Sequence, residues 1–557
     1  MSSMTGRAAF VALLEDEGVS HLFGNPGTTE LPIMAALAEG ASLEYVLGLQ
    51  ESLVVAMADG FARASGKLTA CNVHVAPGLG NALGSIYNAK WIGSPIIVTA
   101  GQQEQGHGLT EPLLYDPLVP MAAPLVKWAV EVTRIEDLPR IMRRAAKVAT
   151  TPPTGPVFIS LPGDILNDEA GLDLGKATRV DTTARPSDET LHRLAQRLLT
   201  AKRPVIVSGH EVAMADALAE AAELAEILGA PVYQQTVPHG AHFLSEHPAF
   251  MGALTRDQKQ VRDTLSPYDL IVFLGADVLR MSVYSPVDPL PTGMPVVQLG
   301  LRDWEMGKNY PAELAIRCEL KETLRALAPV IQEKRGSKGA SRVKAALTDL
   351  ESINWTAKRA VLRTKILAKA KSPRMDPGLL MLRVVEALPE NAVVVDEGIL
   401  STRALHDFFP FRDARCFFGL ASGGIGFALP GAIGIQLAQP DRPVVALVGD
   451  GSAMYSIQAL WTAAHLKCPI TYVICNNGSY RIIKERLRAF HGSNRFIGMD
   501  LKDPAIDFVG LAQSLGVKAK RITDPDDVGA AIRESTSGSG PMLLDVIVDD
   551  GFSSPGA

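Results

Sequence analysis

Gly449-Asp450-Gly451-Ser452 and Asn476-Asn477-Gly478-Ser479 decide the fold of this chain, because each directly follows a short apolar run. The runs are Val444-Val445-Ala446-Leu447-Val448 and Ile470-Thr471-Tyr472-Val473-Ile474. A continuous apolar run of this length reads as a strand buried on both faces, the signature of a parallel sheet. Two parallel neighbours end on the same side, so both polar stretches reach one edge of one sheet. Similar runs recur along the chain at Val205-Ile206-Val207-Ser208-Gly209, Ile271-Val272-Phe273-Leu274-Gly275 and Val393-Val394-Val395-Asp396, with helix-like segments between them. That alternation predicts an α/β protein built of doubly wound parallel sheets. In such sheets ligands gather beyond the carboxyl ends of the strands.

The chain has 557 residues, 47% hydrophobic and 20% charged, with a net charge of −6. That length suggests about three domains, each able to bury its own core. Two breaks divide the chain. Asp181-Thr-Thr-Ala-Arg-Pro-Ser187 is polar and aperiodic, and the charged Gly/Ser stretch from Gln332 to Arg342 reads as an interdomain linker. A helical segment then leads to Pro373. The expected domains are 1–180, 188–332 and 374–557, the first and third being candidate structural duplicates. Mild acidity without a dense Lys/Arg run argues against a nucleic-acid partner. The most basic stretch, Lys484-Glu485-Arg486-Leu487-Arg488, reads as a solvated helix face. Five scattered cysteines in no metal-like spacing fit a reducing cytoplasm. No signal-peptide pattern opens the chain and no apolar run is long enough to span a membrane, so a cytoplasmic location without membrane attachment is expected.

The chemistry of the opening pair points to a cation and a phosphate. Asp450 and the side-chain oxygen of Asn477 are hard donors suited to Mg²⁺, which retains phosphate oxygens and water as its other ligands. Gly449 and Gly451 let the backbone approach a ligand closely. The segment Ala453–His465 reads as a helix whose N-terminus would face a diphosphate.

At this spacing the pair resembles the signature of thiamin-diphosphate-dependent enzymes, the superfamily of pyruvate decarboxylase, acetolactate synthase and benzoylformate decarboxylase. The resemblance implies that Asp450, Asn477 and the carbonyl of Ser479 hold Mg²⁺, that Ser452 meets the diphosphate, and that Tyr480 adjoins the cofactor. It extends to Gln50-Glu51-Ser52 through Ala58-Asp59-Gly60-Phe61-Ala62-Arg63. There the family places the glutamate that hydrogen-bonds N1′ of the aminopyrimidine and so activates the cofactor. Glu51 follows the run Tyr45–Leu49 and opens an apolar helix, where an apolar surrounding tunes its proton sharing. Ile425, in Gly423-Gly424-Ile425-Gly426-Phe427, matches the bulky residue beneath the cofactor, and the Gly423 backbone would accept from the 4′-amino group. In the family the glutamate and the metal site come from different subunits, which implies a homodimer at least, tetramers being common.

Resemblance covers nearly the whole chain and is strongest to the benzoylformate decarboxylase type. Asn25-Pro26-Gly27-Thr28, Asn72-Val73-His74, Ile97–Gln103, Leu125–Trp128 and Tyr455–Ala464 carry it. It implies that the Thr28 hydroxyl holds the substrate carboxylate and that His74 relays protons. A hydroxyl and an imidazole titrating near neutrality suit those tasks. Two departures concern the substrate pocket. Ser282 stands where that type carries a second histidine, and Ile482 and Ile483 replace smaller pocket residues. The expected activity is decarboxylation of a small 2-oxo acid to an aldehyde and CO₂, with carboligation to an aldehyde as a side reaction. The alternative is an acetolactate-synthase-like carboligase or a 2-hydroxyacyl-CoA lyase. No convincing Gly-x-Gly-x-x-Gly marks a flavin site in the middle of the chain.

Overall fold

The structure is a computed structural model that describes residues 2–282, 284–368 and 375–552. The expected start of the third domain at residue 374, and Pro373 before it, lie outside the described residues. Three six-stranded sheets account for the architecture, with a two-stranded antiparallel ribbon formed by Ser2–Thr5 and Glu169–Leu172. Contacts group the chain into two units, one comprising Met1–Asp181, Ala387–Ser401 and Leu420–Ala557, the other Thr182–Glu386 and Thr402–Gly419.

In the first unit the amino-terminal sheet places Glu44–Leu47 beside His21–Gly24, followed by Thr69–Val73, Ile96–Gln102, Val157–Pro162 and Ala129–Glu131, all parallel. Five of the six strands of the carboxy-terminal sheet run Val393–Glu397, Val444–Gly449, Ile470–Asn476, Met542–Ile547 and Lys518–Ile522, again parallel, and the sixth, Phe417–Gly419, comes second in chain order. From its first strand each sheet proceeds first, third, fourth, sixth, fifth in chain order. The terminal sheets therefore share one topology. The inner strands Thr69–Val73, Ile96–Gln102 and Val157–Pro162 are mostly apolar and buried along their whole length, and Val444–Gly449 is buried in all but its last residue, as parallel strands covered on both faces must be, whereas Glu44–Leu47 and Lys518–Ile522 are partly exposed.

The two halves of this unit meet through helices Glu51–Ser65 and Ala428–Ala438 at backbone contact distance. A Cβ on Gly434 would lie 1.9 Å from the Met57 carbonyl oxygen, and one on Gly60 would lie 2.2 Å from that of Gly431. Glycine is required at both positions by space. A buried polar chain runs alongside. Asn88 Nδ2 donates to Asp59 at 2.9 Å, and Ser422 Oγ donates to Asn88 Oδ1 at 3.0 Å. Thr462 Oγ1 also donates to the Leu47 carbonyl at 2.9 Å.

The second unit holds the middle sheet, ordered Phe250–Ala253, Val232–Gln234, Pro204–Ser208, Leu270–Leu274, Val296–Gly300 and Leu314–Arg317. Its order is 3-2-1-4-5-6 in chain terms, and the connections reverse direction between Pro204–Ser208 and Leu270–Leu274.

Three expectations need correction. Gln332–Arg342 is helical, not a linker. Helix Leu320–Glu351 runs through it and turns at Gly336, whose φ of 65° breaks the helical path. Packing overrides composition here: Ile331 and Val343 are buried on either side, and Arg335 donates to the Ile227 carbonyl at 2.7 Å. Ala453–His465 is not one helix; a short helix Asp450–Ala453 and a second, Ala459–His465, are separated by turns. Lys484 is not solvated but 3% exposed. It pairs with Asp500 at 2.5 Å, and its ammonium lies over the rings of Phe496 and Phe552.

Candidate active site

The register of Val444–Gly449 against Ile470–Asn476 aligns Gly449 with Cys475. Asp450 and Asn477 therefore leave the same sheet edge on neighbouring strands. Asp450 opens its short helix and is 3% exposed. One carboxylate oxygen accepts from the Gly451 N–H at 2.8 Å; the other, Oδ2, is buried with no hydrogen-bond partner. Burial raises the acid's pKa to about 6, against the opposing pull of N–H groups from Gly451, Gly478, Ser479 and Asn477. An unpartnered buried carboxylate oxygen is costly alone and natural as a cation ligand. Asn477 Oδ1 accepts from the Ser479 N–H at 2.9 Å and from the Ser479 hydroxyl at 3.1 Å, which locks the turn. That turn passes through Gly478 with φ 63°, and Asn476 is tied to Asp545 at 2.9 Å. Ser452 and Ser479 are both buried. The Tyr480 ring lies against Gly451, where a Cβ would come within 2.5 Å of Cε1. The donor set thus fits a hard divalent cation carrying a diphosphate.

Glu51 is the first residue of helix Glu51–Ser65 and is buried. Asn81 Nδ2 donates to Oε2 at 3.0 Å. Gly78 makes room for the carboxylate, since a Cβ there would sit 2.8 Å from Oε1. Leu53, Val54 and Val55 are fully buried on the same turn.

His74 caps helix Val75–Ile92 and is held by a residue to which sequence reading assigned no role, Glu30. His74 Nδ1 lies 2.6 Å from Glu30 Oε2. Glu30 is 0% exposed, and its oxygens also accept from the backbone N–H groups of Gly27 and Gly101, each at 2.9 Å, and from the Thr29 hydroxyl at 2.8 Å. A carboxylate so placed fixes the ring and its tautomer, with Nδ1–H donating and Nε2 left for chemistry. The Thr29 hydroxyl, not that of Thr28, lies near His74, at 3.2 Å. Thr28 begins the adjacent single turn, Thr28–Glu30, with its side chain exposed. The only sequence signal for Glu30 was an acid three residues after Gly27 at the start of a helical turn, which also describes an ordinary capping box.

Glu397 is a second residue that sequence reading missed. It is 1% exposed at the end of Val393–Glu397. Its carboxylate accepts from the N–H of Gly426, and from that of Ala428 at 2.6 Å. It therefore grips the glycine turn that carries Ile425. Burial pushes its pKa to about 7 despite those donors, and neighbouring Asp396 adds to the rise. Ile425 is half-buried, and Gly423 is exposed with φ 83°. Ile482 and Ile483 open helix Arg481–His491, half-buried and exposed respectively. Ser282 is exposed on a loop of the second unit.

Comparison with known proteins gives this geometry a family. Three domain models of thiamine pyrophosphate enzymes match in order: the N-terminal TPP binding domain over residues 4–113, the central domain over 191–327 and the C-terminal TPP binding domain over 400–546. Benzoylformate decarboxylase of Pseudomonas aeruginosa is 33% identical over 97% of this chain and 98% of its own length. Acetolactate synthase isozyme 1 large subunit of Escherichia coli is 26% identical over 98% of this chain and 94% of its own. Among solved structures, the thiamine diphosphate-dependent 4-hydroxybenzoylformate decarboxylase of Rhodococcus jostii superposes with a TM-score of 0.88 at 32% identity, covering 99% of this chain and all of that one. Benzoylformate decarboxylase of Polynucleobacter necessarius also reaches 0.88, at 29% identity, over 98% and 99% of the two chains. With all three domains matched and a relative of one-third identity spanning nearly its full length, the chain belongs to the thiamin-diphosphate-dependent decarboxylase superfamily.

Proposed function

We propose that this protein decarboxylates a 2-oxo acid of the benzoylformate class to an aldehyde and CO₂, using thiamin diphosphate and Mg²⁺, and that it ligates the bound fragment to an acceptor aldehyde as a side reaction. Bound thiamin diphosphate supplies the carbon acid and electron sink that cleavage next to a carbonyl requires. The chain's own groups divide the remaining work. Asp450, Asn477 and the Ser479 carbonyl hold the cation, while Ser452 and the N–H groups after Gly449 receive the diphosphate. Tyr480 and Ile425 pack against the cofactor, with the Gly423 carbonyl as an acceptor. Glu51 meets the pyrimidine, Thr28 orients the substrate carboxylate, and His74 delivers a proton after CO₂ leaves. Ile482 and Ile483 shape the acyl pocket, and Ser282 contributes to the choice of substrate. The functional unit is a homodimer or a higher oligomer that pairs Glu51 of one subunit with the cation site of another, and it works in the cytoplasm.

The observation that carries the decarboxylase reading is the Glu30–His74 pair, a proton-transfer group held at 2.6 Å by a fully buried carboxylate. A carboligase reading draws on the match of an acetolactate synthase along 98% of the chain, and on the resemblance that puts Ser282 where a histidine is expected. A panel of benzoylformate, pyruvate and branched 2-oxo acids, each with thiamin diphosphate and Mg²⁺, tests the proposal by CO₂ release. Turnover of an aryl 2-oxo acid supports it. Acetolactate from pyruvate as the sole product, or cleavage of a 2-hydroxyacyl-CoA with no CO₂ from any acid, overturns it.

A further inference from the structure

The middle sheet carries a cluster that the cofactor chemistry does not use. His210 follows strand Pro204–Ser208 as the first residue of a short helix, and His239 and His242 lie on the segment after the neighbouring strand Val232–Gln234. The three imidazoles converge: one ring nitrogen from each lies within 4.8 Å of the other two. Among the described residues this is the one group of three His, Cys, Asp or Glu side chains drawn so close. His242 is 0% exposed, His239 3%, and His210 half-buried.

We propose that His210, His239 and His242 form a binding site for a borderline divalent transition-metal ion, of which zinc is the representative. Three points carry it. First, a neutral imidazole has one N–H and one lone pair, and three rings this close cannot all be protonated without strong repulsion. The cluster therefore presents lone pairs. Second, His239 Nδ1 lies 3.1 Å from the Val237 carbonyl oxygen, which can only accept. That bond places the proton on Nδ1 and the lone pair on Nε2, the arrangement in which a backbone carbonyl orients a metal-bound histidine. Third, the rings are not stacked. Their planes are inclined at 46°, 69° and 79°, with centroids 4.7, 6.3 and 5.1 Å apart.

Tetrahedral zinc with nitrogen ligands at about 2.0–2.1 Å needs nitrogens roughly 3.4 Å apart. Side-chain rotation closes the remaining gap. Gly240 leaves the approach open, since a Cβ there would lie 3.1 Å from His242 Nε2. Imidazoles without a carboxylate or thiolate select zinc, cobalt, nickel or copper over magnesium and calcium. A bound ion would leave one coordination position for water or a small anion, and would tie the segment after Val232–Gln234 to the end of Pro204–Ser208. The place lies beyond the carboxyl ends of two neighbouring parallel strands, the side of such sheets on which ligands collect.

The test uses the full-length protein, stripped with a chelator and then saturated with Mg²⁺ and thiamin diphosphate, so that the oxygen-lined site is filled. Titration with Co²⁺ should give one equivalent bound per chain, with the intense visible absorption of four-coordinate, nitrogen-ligated cobalt, and Zn²⁺ should bleach it. His239→Gln should abolish that absorption. Should that variant misfold, His210→Ala, which alters a half-exposed side chain, serves the same purpose. Absence of the absorption in the wild-type protein, or equal cobalt binding by a folded variant, shows that the three rings are merely packed together and overturns the proposal.

Discussion

Glu30 and His74 are bound to each other at 2.6 Å, carboxylate to ring nitrogen, across a gap of 44 residues in the chain. Because Glu30 is also fastened by two backbone N–H groups and a hydroxyl, the imidazole has little freedom to turn. His74→Ala should therefore lower kcat for CO₂ release by ~10²–10⁴-fold, the span usual for a lost general acid. Glu30→Gln should lower it by a smaller factor, because the ring stays in place but its orientation loosens. Steady-state kinetics with a matched cofactor-affinity titration checks both. A Glu30→Gln enzyme with wild-type kcat would remove the positioning role.

Glu51→Gln is expected to leave a folded protein that still binds thiamin diphosphate but has almost no turnover. The amide keeps the size of the carboxylate and the bond from Asn81, and loses the ability to share a proton with the pyrimidine. Cofactor affinity from fluorescence quenching, set against CO₂ release, separates the two effects.

Asp450 should couple cofactor binding to stability. Saturating Mg²⁺ and thiamin diphosphate at about 100 times their dissociation constants should stabilise the wild type by about 2.7 kcal/mol. Asp450→Asn should lose most of that increment. Without cation and cofactor, the variant should be no less stable than the wild type, because the substitution removes a buried carboxylate with an unpartnered oxygen. Thermal melts of both proteins with and without ligands give the comparison.

Glu397 predicts a pH dependence of stability. Its folded pKa, about 7, lies above the ordinary value of 4.5, so the folded state holds the proton more tightly than the unfolded chain. The contribution is fully present below about pH 4.5 and is lost as pH rises through 7. At 1.36 kcal/mol per pKa unit the change is on the order of 3 kcal/mol. Denaturant melts between pH 5 and 8 should show it, and Glu397→Gln should flatten the difference while weakening the turn around Ile425.

Gly434→Ala should cost ~1–3 kcal/mol, since its Cβ would have to displace the Met57 carbonyl from 1.9 Å. Urea unfolding measures it. Gly423→Ala is the contrast: nothing lies within 4 Å of a Cβ there, and only its φ of 83° resists the change.

The strands were legible from sequence because parallel strands buried on both faces are predominantly apolar, and Val444–Gly449 and Ile470–Asn476 end within two residues of their apolar runs. Asp450 and Asn477 were legible because register alone brings them to one edge. Glu30 and Glu397 were not, because each acts through backbone groups distant in the chain, at Gly101 and Gly426. Local pattern carries no trace of such partners. The stretch from Gln332 to Arg342 misled for the converse reason. Its composition is that of a linker, yet the apolar face of the helix before it and Val343 after it hold it on the core. The histidine cluster drew no notice in sequence because His210 and the pair His239 and His242 are joined only by the pairing of Pro204–Ser208 with Val232–Gln234.

The bare backbone seam between helices Glu51–Ser65 and Ala428–Ala438 also limits how this protein can be recombined with its relatives. Where Gly60 meets Gly431 and Gly434 meets Met57, neither surface tolerates even a methyl group. A hybrid that takes its amino-terminal third from one parent and its carboxy-terminal third from another can pack only where the two parents carry complementary surfaces along this seam.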